Sequence, residues 1–99
     1  MYQSPQTVKS PKAAIRHLNV LYDGGEQTED SGDWNGWSVA ELEWYEYPTL
    51  ALRWNGSDEN PNVSHTGNPQ SRGVPTWFIV PQPLQDCIRA QLRNAPRQS

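Results

Sequence analysis

The 99-residue chain predicts an α+β domain, a mostly antiparallel four-stranded sheet at about 15–22, 37–45, 49–54 and 76–80 with one C-terminal helix, about 83–94, packed on one face. Two patterns carry this reading. Apolar and polar residues alternate through Trp37–Trp44 and again through Leu50–Trp54, which marks half-buried antiparallel strands. Leu84, Cys87, Ile88, Gln91 and Leu92 instead fall at i, i+3, i+4, i+7 and i+8, one stripe of a helix.

Residues 1–12 are polar, carry two prolines and lack periodicity, so they read as a flexible arm. A single domain over 13–95 follows, with 96–99 a frayed tail. From Ala14 to Tyr22 the chain admits a helix, bounded by Ser10-Pro11 and Gly24-Gly25, or a strand in which Leu18, Val20 and Tyr22 alternate. The strand is favoured, because it leads into a turn at Asp23-Gly24-Gly25. Glu26–Gly36 is acidic, small or turn-forming and reads as a loop.

Ala40, Leu42 and Trp44 then share one strand face, and Glu41 and Glu43 the other. If the apolar sets on either side of Pro48 coincide, Trp44 stands opposite Leu50, and Glu46, Tyr47 and Pro48 form the loop. That register places Glu41, or in a two-residue shift Glu43, opposite Arg53. Thr76–Val80 is apolar on both faces and reads as an inner strand. One helix covers only one sheet face, so the other needs a partner subunit or the N-terminal arm, and a homodimer is the simpler expectation.

Net charge is −3, but it is segregated: residues 1–16 carry +3, residues 17–52 carry eight acids and no Lys or Arg, and residues 53–99 carry +2. The acidic middle reads first as a solvated face. Cys87 is the only cysteine, which excludes an internal disulfide, suits a reducing compartment and reads as a small core residue of the helix. No apolar run approaches the roughly 20 residues of a membrane span. A cytoplasmic protein without membrane contact is expected.

His17 and His65 stand at no metal-ligand spacing, and Gly67 and Gly73 lead into a strand rather than a helix. No metal, cofactor or nucleotide is therefore expected. Trp-rich sheets can stack unpaired bases, but such binders need a basic groove, and these strands are flanked by acids, so no nucleic acid is expected.

The long loop from Asn55 to Pro75 is the best candidate site, because connections of that length are usually functional or disordered. Arg53, Asn55, Asn68, Gln70, Ser71, Arg72 and Trp77 form the candidate binding set, with Arg72 placed to stack on Trp54 or Trp77. No catalytic residue stands out. The segments Arg53-Trp54-Asn55-Gly56 and Gly67-Asn68-Pro69-Gln70-Ser71-Arg72-Gly73-Val74-Pro75-Thr76-Trp77-Phe78 resemble the shared core of small uncharacterised bacterial proteins, some associated with mobile DNA such as integron gene cassettes. The resemblance spans roughly 37–81 and implies no activity.

The reading favoured is a binding or interaction module for a protein or small-molecule ligand, using the 55–75 loop. One alternative is a small enzyme with Arg53, Arg72 and Glu41 or Glu43 in its site; another is an acidic inhibitor or nucleic-acid mimic using residues 23–46.

Overall fold

Tyr45 and Glu46 both have positive φ, 47° and 75°, and form a two-residue hairpin turn whose twist matches that of the flanking strands. This turn sets the register of the central hairpin of the sheet. In the computed structural model, which describes residues 2–29 and 32–96, the turn joins β2 (Trp37–Trp44) to β3 (Tyr47–Trp54). β1 is Ile15–Asp23, β4 Gln70–Ser71, β5 Val74–Pro75, β6 Phe78–Ile79, and α1 Gln82–Gln91. The main sheet is antiparallel in the order β1-β2-β3-β6, and β4 and β5 form a separate hairpin. The α+β class and the strand at Ala14–Tyr22 stand; the last strand is only two residues long. Of the expected tail, residues 97–99 lie outside the described part, as does Met1 of the arm.

The expected register is corrected. Trp44 pairs with Tyr47, Ala40 with Ala51, and Arg53 with Ser38, so neither Glu41 nor Glu43 faces Arg53. Ala40 and Leu42 therefore point to one face, while Leu50 and Leu52 point to the other with Val39. The apolar sets need not coincide, because both faces are covered.

On the first face, Ile15, Ala40, Leu42, Ala51 and Trp77 are buried with Val8 of the N-terminal segment. A short 3-10 turn at Pro5–Thr7 lays this segment on the sheet, and the Trp77 indole Nε1 donates to the Val8 carbonyl at 2.7 Å. The loose arm of the sequence reading is corrected too: Val8 is 1% exposed. The cover that a partner subunit or the arm had to supply comes from the arm.

On the second face, Tyr22, Val39, Leu50 and Val80 form a core against which Ile88, Leu92 and Ala95 pack. Gln85 is buried and donates to the Val80 carbonyl at 3.0 Å and to Thr49 Oγ1 at 2.8 Å. Satisfying that carbonyl turns Gln85, rather than Leu84 or Cys87, toward the sheet. Cys87 is accordingly exposed, not the core residue expected from its spacing. Arg89, one turn on from Gln85, reaches Glu41 at 3.5 Å.

Two substitutions test this layering by urea denaturation. Trp77→Ala is expected to lower stability by about 3–5 kcal/mol, since it empties the contact between the N-terminal segment and the sheet. Tyr47→Ala, at a position 76% exposed, is expected to stay within about 0.5 kcal/mol.

Candidate functional site

A ten-residue helix is about 15 Å long, and α1 cannot span the sheet face on which it lies. It sits over the row Glu41–Leu50–Val80, to which Gln85 and Arg89 are bonded. Two further rows of that face follow, and their Phe78 and Trp54 are left exposed. Val39, Leu52 and Phe78 form one; Trp37, Trp54 and Asn68 form the next. Here lies a groove of about 370 Å³, lined by Trp37, Leu52, Trp54, Asn68, Pro69 and Phe78, with Arg53 contributing behind them. Trp54 is 52% exposed and Phe78 54%, a large aromatic surface to leave in water.

One wall is an aromatic cluster. Trp37 stacks on Trp34 with ring centroids 5.0 Å apart and planes at 20°, and Tyr22 meets Trp34 edge-on at 5.2 Å. The Trp37 indole donates to the Asp33 carbonyl at 2.9 Å, and the Tyr22 hydroxyl donates to the Trp34 carbonyl. Burial, then the neighbouring Asp23 carboxylate, raises the Tyr22 phenol above its ordinary pKa, so it stays a neutral donor.

The opposite wall, Asn68-Pro69, is held by Arg53. This side chain is 3% exposed, and its Nη1 donates to the Thr76 carbonyl and, at 3.5 Å, to that of Pro69, while Nη2 donates to the Thr66 carbonyl. Its Nε is buried without a partner, and among the described residues no carboxylate pairs with it. Desolvation lowers its pKa to about 10, opposed by the Tyr2 phenol, so the group remains a cation at neutral pH. Asn68 and Trp54 exchange backbone bonds of 2.7 and 3.0 Å. Gly67, at φ 74°, passes so close that a Cβ there would fall on the Trp54 carbonyl oxygen and within 2.7 Å of Arg53 Nη2. Gln70 braces the same turn, donating to Ser64 Oγ at 3.1 Å and to the Gly67 carbonyl at 3.2 Å.

The structure scatters the binding set read from the sequence. Arg53 and Asn68 meet at the groove. Asn55 is fully buried, accepting from Ser38 Oγ at 2.9 Å and donating to the Gly25 carbonyl at 2.8 Å. Trp77 lies in the core of the other face. Ser71 and Arg72 are exposed on the β4–β5 hairpin, whose turn residues Arg72 and Gly73 have φ of 52° and 81°. Arg72 stacks on neither tryptophan among the ring contacts of the described residues.

The residues of the enzyme reading do not converge either. Glu41 pairs with Arg89, and Glu43 lies 3.8 Å from His17, both on the face opposite Arg53. Sequence reasoning passed over Trp37, Leu52 and Phe78 as site residues. The available signal was Phe78, an apolar residue on a strand with too little helix to cover both its faces. Among the described residues no helix is long and apolar enough to cross a membrane, and no three His, Cys, Asp or Glu side chains group to hold a metal.

Because three carbonyls converge on one planar fork, Arg53→Lys is expected to destabilise the fold by about 2–4 kcal/mol, as a single ammonium cannot reach all three. Chemical denaturation at neutral pH checks this, and a change below about 0.5 kcal/mol, the surface range, would refute the clamp. Comparison of the chain with protein-family models, with curated proteins and with solved structures gives no match.

Proposed function

We propose that the protein is a binding module whose site is the aromatic groove beside α1, with Asn68-Pro69 of the 55–75 loop as one wall. A single observation carries the reading. Trp54 and Phe78 are each more than half exposed on a groove of about 370 Å³, although Val39, Ala40, Leu50 and Ala51 of the same sheet are fully buried. That size and an apolar lining with one or two polar groups are the usual character of a ligand site. The lining offers no exposed ionisable side chain, Arg53 being locked to three carbonyls, so the groove is suited to holding a ligand rather than to moving a proton.

Ring-bearing probes such as indole and p-cresol, titrated while amide and indole N–H resonances are followed by NMR, test this reading. Saturable shifts are expected at Trp54, Asn68 and Phe78. Trp54→Ala should abolish them while changing stability by less than about 1 kcal/mol, the span of side-chain effects in a strand. Shifts spread over the β4–β5 hairpin, with Trp54 unmoved, would relocate the site to Arg72.

A further inference from the structure

The groove has an unbalanced set of hydrogen-bonding groups. Among the described residues the Trp54 indole N–H and the Asn68 carboxamide have no partner, and both residues are exposed at the groove. Trp54 can only donate, and Asn68 adds two donors to one acceptor. An occupant that supplies carbonyl oxygens and few N–H groups suits this set better than an ordinary extended peptide, which would bring as many donors as acceptors. A proline-rich chain has that character, because each proline keeps its carbonyl and lacks the N–H.

The surface agrees. Trp37, Trp54, Phe78 and Pro69 present rings rather than a closed cavity, which is how aromatic-lined grooves receive the ridges of a polyproline II helix. Strand addition is a poorer alternative, since β6 offers an edge of two residues. Charge narrows the choice further. Asp33 adjoins the groove through Trp37, whose indole donates to its carbonyl, and its side chain is exposed, within a stretch of eight acids and no Lys or Arg over residues 17–52.

We infer that the groove receives a proline-rich segment in polyproline II form with a Lys or Arg at the end that meets Asp33. This rests on the groove being the binding site. The restricted proline backbone also loses less conformational freedom on docking than a flexible peptide would.

The test titrates the full chain with a nine-residue peptide of one arginine followed by eight prolines, with a Gly-Ser peptide carrying the same arginine, and with indole. The proline peptide is expected to shift the Trp54 indole and Asn68 side-chain amide signals, and the Gly-Ser peptide to leave them in place. Trp54→Phe, which keeps a ring and loses the N–H, should weaken proline-peptide binding about tenfold, the worth of one hydrogen bond. Replacing the peptide arginine by glutamate should weaken it about two- to fivefold at low salt, as for an exposed ion pair, and Asp33→Asn should remove that difference. Indole binding without proline-peptide binding would overturn this inference and leave the groove as a site for small ring-bearing ligands. Failure of both probes would overturn the groove as well, and equal binding of the Gly-Ser peptide would overturn the polyproline form.

Discussion

A buried guanidinium with no carboxylate partner among the described residues holds this fold together at its most irregular point. Arg53 leaves β3 on the first face of the sheet and gathers the carbonyls of Thr66, Pro69 and Thr76. The last two belong to an excursion of the chain between Asn68 and Phe78, both of which pair with β3, and Thr66 lies just before it. Burying a charge is costly unless its donors are used, and the planar fork of arginine can serve several acceptors at once, which an ammonium cannot. The loop is thereby converted from a long connection into a wall. Gly67 permits the approach, and Gln70 fixes the turn from outside.

The groove follows from two unequal covers. The N-terminal segment closes the first face, with Pro5 and Val8 both buried and the Trp77 indole bonded to the Val8 carbonyl. The second face receives α1, with Leu92 and Ala95 just beyond it and Trp34 on its flank, and these leave Trp54 and Phe78 more than half exposed. Large side chains at these positions contribute little to the core, and their exposure has a solvation cost that ligand burial would offset. A sheet built this way is stable in its covered half and available in its open half.

The extent to which the sequence discloses this differs by element. Strand and helix positions are visible because apolar side chains repeat at their own periods in Trp37–Trp44, Leu50–Trp54 and Leu84–Leu92. The register is not visible. Alternation in β2 and β3 looks like one-sided burial, whereas Leu42 and Leu52 lie on opposite faces, and the turn that decides the matter uses Tyr45 and Glu46 at positive φ without a glycine to announce it. Trp77 and Phe78 show the same difficulty in miniature: they are adjacent and equally apolar, yet strand parity sends one to the core and the other to the groove. Arg53 was legible as a candidate but not as a clamp, because backbone carbonyls have no sequence signature. Asn68 stands out in the sequence for its polar side chain on a constrained loop, and it lines the groove, while the aromatic residues beside it are hidden among core-like residues.

The central claim is that the Arg53 clamp makes the loop wall as firm as the sheet on which it stands, and native-state hydrogen exchange reads this directly. The Asn68 amide donates to the Trp54 carbonyl at 3.0 Å and the Thr76 amide to that of Pro69 at 3.0 Å, while the Val80 amide donates to the Leu50 carbonyl at 2.9 Å within the sheet. The account predicts that Asn68 and Thr76 exchange only as slowly as Val80, through opening of the whole domain. Exchange of Asn68 and Thr76 near the open-chain rate, with Val80 still protected, would contradict it.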